Sequence, residues 1–207
     1  MGVIGLYQRL KTKGLSPPPV HPSSLPGKMF HIDFLGCYFA PLLHQLQTDS
    51  SIENGHRIGV RLGDTIVETF GQHCLVHCDG AATKEKEKAH LERQEKRNKA
   101  KEKMKKALSS MEVRSLAGKW TSKTVIDTIQ KCLKRMFVIS GVTMAAVLDG
   151  LASRTTLCRC LFEADLCIAG LASYRIDAVV VSGDSDLLCF EGITTVLRPL
   201  PNHQGYG

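Results

Sequence analysis

Apolar and polar positions along this chain switch between two periods, and the switches mark its elements. Val3, Leu6, Tyr7 and Leu10 recur at i, i+3, i+4 and i+7, the spacing of a short amphipathic helix. Residues 15–27 are rich in Pro and Ser and read as a loop. Met29–Asp33 is a short apolar run closed by a carboxylate, which suits a buried strand. Ile58, Leu62, Ile66, Val67 and Phe70 return to helical spacing, and Cys74–Asp79 is a second apolar run ending in an acid, followed by Gly80.

Residues 84–110 hold no β-branched residue and are dominated by Lys, Glu, Arg, Gln and Ala. They predict a long polar helix with a thin apolar stripe, or one that orders on binding. Val125, Ile126, Ile129, Cys132 and Leu133 share one side of a helix over Thr124–Met136. Residues 137–157 are apolar, contain Gly and Ala, and show no assignable period. Glu163–Ser173 reads as a helix, Ala178–Val181 as a strand that breaks at Ser182-Gly183-Asp184, and Ile193–Leu197 as a last strand. Strands alternating with helices imply the α/β class, with a mostly parallel, doubly wound sheet flanked by helices.

The 207 residues suffice for one α/β domain with a full core, or for a domain and an unfinished second piece. No run approaches the roughly 18 apolar residues of a membrane span, and no membrane association is expected. The N-terminus has no basic-then-apolar leader, and Leu6 replaces the Ser or Thr of a myristoylation signal. The net charge of +7 is local: residues 84–106 hold eleven Lys or Arg against five Glu, or +6. A basic segment in a nearly neutral protein points to a local polyanion contact, beside the plainer reading of a solvated helix.

Eight cysteines without an export signal read as reduced thiols of the nucleus or cytosol. The run His73-Cys74-Leu75-Val76-His77-Cys78 suggests zinc, but a strand sends successive side chains to opposite faces, which argues against a site within that run.

The acids carry the chemistry. Asp33, Asp79 and Asp184 each follow a run that reads as a buried strand, and ligands of open α/β sheets bind at the carboxyl ends of strands, near the point where strand order reverses. Glu163 with Asp165, and Asp184 with Asp186, add pairs separated by one residue. Each acid alone is more often a turn or cap residue. Six in one small volume require cations, and hard oxygen donors suit Mg²⁺ or Mn²⁺. Two such ions promote in-line displacement at phosphate. Lys86 and Arg93 lie seven residues apart, about two turns or ~10 Å along one helical face, and Arg97 falls on nearly the same side. Such a row suits contact with a phosphodiester.

These residues resemble the flap-endonuclease/XPG (Rad2-type) family of structure-specific nucleases. Met1-Gly2-Val3-Ile4-Gly5-Leu6 is similar to the family's opening, His31-Ile32-Asp33 to its first acidic strand, and Cys78-Asp79-Gly80 to its Phe-Asp-Gly. Phe162-Glu163-Ala164-Asp165 is similar to its Glu-Ala-Glu/Asp motif, and Gly183-Asp184-Ser185-Asp186-Leu187-Leu188 to its Asp-Ser-Asp-Leu-Leu element. The resemblance covers residues 1 to about 190. It implies a PIN-like (resolvase-like) twisted sheet flanked by helices, with a basic helical arch or gateway.

It also implies a metal-dependent endonuclease or 5′ exonuclease acting at 5′ flaps or single-strand/duplex junctions of DNA in replication and repair, with RNA left open. Two Mg²⁺ ions (or Mn²⁺) would be held by Asp33, Asp79, Glu163, Asp165, Asp184 and Asp186. Lys86 and Arg93 would be catalytic, and Gly2, Gly5 and Phe39 would contact nucleic acid, joined by Arg97 from its place in the basic row. The implied organisation is an N-terminal nuclease region over 1–110, with its basic helix at 84–110. A helical connector over 111–160 follows, with an apparent insertion at 137–157, and then an internal region over 161–207. The family's downstream helix-two-turn-helix module, with a seventh acid, and a sliding-clamp-type partner site are not expected in these residues. Leu161 stands where a Pro is common, and the insertion is expected to threaten the placement of Glu163 and Asp165. A nuclear location is expected, with cytoplasm and mitochondria left open. The alternative is a non-catalytic PIN-like scaffold that binds nucleic acid.

Overall fold

The computed structural model describes residues 9, 12–14, 20–81 and 86–199. Gly2, Gly5 and most of the expected opening helix lie outside the described residues. The chain divides into two compact units, Met1–Ala82 with Gly141–Gly207, and Thr83–Ser140.

The first unit is built on a five-stranded sheet: β1 (Met29–Asp33), β2 (Cys74–Cys78), β3 (Thr156–Arg159), β4 (Ala178–Val181) and β5 (Val196–Leu197). The order is β3-β2-β1-β4-β5 and every pairing is parallel. A parallel sheet is covered on both faces, which is why the central strands are unbroken apolar runs. All four residues of β4 are buried, and so are the last four of β1.

Register fixes the two faces. His31 pairs with Leu75 and Val180, Asp33 with His77, and His77 with Cys158. These side chains share one face, and successive residues take the other. Cys74 and Cys78 therefore lie opposite His77, as the alternation within that run predicts.

Helix α1 (Phe34–Leu46) follows β1 directly and α2 (Ile52–Phe70) follows α1. Helix α2 starts at Ser51, whose hydroxyl accepts from Asn54 N at 3.2 Å, and stops at Gly71, whose φ of 74° suits glycine. Its Phe70 ring packs 5.1 Å from Phe30, so α2 covers the Phe30 face.

Residues 137–157, without a clear period in the sequence, form a helix and a strand of the sheet. The helix, Gly141–Ala152, becomes α5 once the second unit is counted, and the strand is β3. Helix α5 lies against α2 so closely that a Cβ on Gly59 would collide with the Val147 carbonyl, and one on Gly150 with the His56 carbonyl. Helix α6 (Ala164–Ala172) covers the other face of the sheet. Its Ala164, Ile168 and Ala172 form one buried cluster with Cys160, Ala178, Val180 and Leu187.

The second unit holds α3 (Glu87–Leu116) and α4 (Lys123–Met136), which pack against each other. Helix α3 runs 30 residues with Ala100 its one buried position, as its composition predicts. Helix α4 buries Cys132. No single helix among the described residues is long and apolar enough to cross a membrane.

Candidate active site

The chain runs β1, β2, β3 outward in one direction and then returns to place β4 on the other side of β1. Strand order therefore reverses at β1, and the crevice at the carboxyl ends of β1 and β4 is the fold's binding position. Asp33 ends β1, Asp79 follows β2 by one residue, and Asp184 follows β4 by three. Since Asp33 pairs with His77, and Ile32 with Val181, both neighbouring acids extend two residues beyond the level of Asp33.

Asp33 is the most enclosed of the six acids, at 6% exposure. Its Oδ1 accepts from Gly36 N at 2.9 Å, so it also caps α1, and its Oδ2 accepts from the buried Ser182 hydroxyl at 2.7 Å. The Asp184 amide donates to Ser182 Oγ at 3.0 Å, and the Asp186 amide to Asp184 Oδ1 at 3.3 Å. These bonds tie β1 to the loop after β4, and the approach is tight. A Cβ on Gly36 would collide with the Asp33 carboxylate, and one on Gly183 with the Gly36 carbonyl.

A second set of bonds gathers the other three acids. Asp79 Oδ1 accepts from Ala164 N at 2.8 Å, seating that carboxylate on the N-terminus of α6, where the helix dipole favours negative charge. Gly80 N donates to Phe162 O at 2.6 Å, and Ala81 N to Leu161 O at 3.0 Å. Glu163 occupies the N-cap position of α6, without capping it through its side chain, and Asp165 lies in the first turn. The segment after β3 thus brings Glu163 and Asp165 beside Asp79, and the 137–157 segment does not carry them away.

The two sets communicate electrostatically. Burial raises the Asp33 carboxyl above its ordinary value, and the charges of Asp79 and Asp184 raise it further against the two hydrogen bonds that lower it. Asp33 therefore senses the acids beyond the ends of both neighbouring strands. Carboxylate oxygens of this kind suit hard divalent cations in chemistry, although, among the described residues, no three of the six acids bring their oxygens within 4.8 Å of one another in this structure.

Phe39 lies on α1, 47% exposed. In the second unit Lys86 stands at the N-cap of α3, Arg93 is exposed, and Arg97 donates from Nη1 to Gln94 Oε1 at 3.4 Å. Sequence reasoning missed Ser182, Gly36 and Gly183, which position the acids. Ser182-Gly183 directly before Asp184 was the available signal.

The sequence matches no protein-family profile, and it matches no curated protein. Among solved structures it is similar to the catalytic core of Rad2 in complex with DNA substrate (complex III). The identity is 15% and the TM-score 0.55, over 99% of this chain and 54% of that one. A second structure of that catalytic core with DNA (complex II) aligns at 18% identity and a TM-score of 0.48, over 98% and 52% of the two chains. The chain spans about half the length of the structures it matches. It shares the fold of that catalytic core, an α/β architecture with a five-stranded parallel sheet flanked by helices.

Proposed function

We propose that this chain is the core of a divalent-metal-dependent nuclease that hydrolyses DNA phosphodiesters at 5′ flaps or single-strand/duplex junctions, in nuclear replication or repair. The observation that supports the proposal is the position of Asp33, Asp79 and Asp184 at or just beyond the carboxyl ends of three adjacent strands at the switch point of the sheet, with Ser182 tying Asp33 to the loop that carries Asp184. The likeness to a nuclease core determined with DNA supports the substrate class.

In this reading Asp33, Asp79, Glu163, Asp165, Asp184 and Asp186 hold two Mg²⁺ ions, with Mn²⁺ as a substitute. Such ions, when bound, supply the Lewis acidity and water activation that phosphodiester hydrolysis needs. The protein's own part is placement. Ser182 and Gly36 N fix both Asp33 oxygens, and Ala164 N fixes Asp79. Each carboxylate oxygen keeps a second lone pair for a cation. Lys86 and Arg93 stabilise charge on the scissile phosphate. Arg97, Phe39, Gly2 and Gly5 contact the strand.

The same hydrogen bonds favour a second reading, a scaffold that binds nucleic acid without cutting it, since Asp33, Asp79 and Asp184 also serve the backbone. Cleavage of a labelled 5′-flap DNA in Mg²⁺, by wild type and Asp184→Ala, separates the two. Metal-dependent cleavage that Asp184→Ala abolishes is expected. Equal cleavage by both rejects the metal role of Asp184, and binding without cleavage selects the scaffold.

A further inference from the structure

On the face covered by α6, a cluster that the nuclease reading does not use converges from three elements. His77 on β2 pairs with Cys158 on β3, Cys160 lies two residues further on that face, and Cys167 comes from α6. One donor atom from each lies within 4.8 Å of all the others. The Cys158 and Cys167 sulfurs are 3.8 Å apart, and His77 Nδ1 is 3.9 Å from Cys160 Sγ. Tetrahedral zinc, with Zn–S of ~2.3 Å and Zn–N of ~2.1 Å, sets its donors about 3.6–3.8 Å apart. Small side-chain rotations close the difference.

We propose that His77, Cys158, Cys160 and Cys167 form a structural zinc site of the Cys₃His type. Packing of thiols as small hydrophobes accounts for one or two buried cysteines. It does not account for a fully buried imidazole whose Nδ1 meets only a thiol near the limit of hydrogen bonding. The imidazole is also supported as zinc-bound histidines are. His77 Nε2 lies 3.1 Å from His31 Nδ1, so an Nε2–H donated to His31 leaves the Nδ1 lone pair facing the sulfurs. Zinc uptake forms three Zn–S bonds and one Zn–N bond and releases three thiol protons to solvent. Cys158 and Cys167 are half-buried, which gives the ion an entry path. Once formed, the site pins the end of β3 to the start of α6, across the segment that carries Glu163 and Asp165.

The test is zinc content of the full chain purified without chelator, read by mass spectrometry. About one zinc per chain is expected, falling to near zero in Cys158→Ser, Cys167→Ser and His77→Gln, and unchanged in Asp184→Asn. Co²⁺ substitution of the wild-type chain guards against variants that fail to fold. It should give thiolate-to-cobalt charge transfer with intense tetrahedral d–d bands. Zinc lost from Asp184→Asn but kept in the cysteine variants would place the ion among the carboxylates and overturn the proposal. A wild-type chain without zinc and without the cobalt–thiolate spectrum would overturn it, as would a Cys158–Cys167 disulfide in the purified chain. None of these readouts depends on cleavage, so the proposal stands or falls apart from the nuclease reading.

Discussion

Gly80→Ala is the substitution that tests how Glu163 and Asp165 are held beside Asp79. A Cβ at this position would collide with the Cys160 carbonyl and lie 2.5 Å from the Leu161 carbonyl oxygen, both backbone atoms. The segment must move away. Moving it forfeits the Gly80–Phe162 and Ala81–Leu161 hydrogen bonds, at about 1 kcal/mol each, and breaks the charged Asp79–Ala164 bond, at about 1.5–3 kcal/mol. The sum is a destabilisation of roughly 3–5 kcal/mol. With a urea slope of about 2 kcal/mol/M, the unfolding midpoint falls by roughly 2 M. Flap cleavage, assayed where the variant is still folded, should fall too, because Glu163 and Asp165 leave Asp79. A midpoint within about 0.3 M of wild type, with cleavage intact, would show that this closure does not hold the site.

Asp33→Asn should raise the thermal midpoint of the metal-free protein at neutral pH. The Asp33 carboxyl is raised in the fold, so its protonated form contributes stability that is full below the unfolded value near 3.8 and lost as pH rises through the folded value. The midpoint of wild type minus that of the Asp33→Asn variant, followed by calorimetry against pH, should fall through that window. A flat difference refutes the cause assigned. Lys86→Ala should lower single-turnover cleavage by about 100-fold while changing DNA affinity little. Weakened affinity with unchanged turnover would make Lys86 a positioning contact.

Strands β1, β2 and β4 were legible because central parallel strands, buried on both faces, are written as unbroken apolar runs, and each leads into an acid. Helix α3 was legible from composition, with ends differing by a few residues. Helix α1 was not, because Gly36 and Pro41 look like helix breakers. Gly36 is there because the Asp33 carboxylate leaves no room for a Cβ. Helix α5 lost its period because it meets α2 through glycines and carbonyls, so small residues stand where large apolar ones would mark a face. Strand β5 is only Val196–Leu197, shorter than the apolar run that suggested it. The six acids were legible one by one, but Ser182 gained its role only through the pairing of β1 with β4. The cysteine cluster shows the same limit. Alternation within one strand separates His77 from Cys74 and Cys78, yet register with β3 delivers it to Cys158 and Cys160.

Acids from three adjacent strands that share divalent cations must lose affinity together, which calorimetric titration of Mn²⁺ into wild type, Asp79→Asn and Asp184→Asn measures. Mn²⁺ favours oxygen donors over thiolates, so the cysteine cluster does not compete. Binding by wild type that weakens at least about 10-fold in each variant, roughly 1.4 kcal/mol, is the predicted result. Unchanged Mn²⁺ affinity in both variants would mean that the acids do not act as one site.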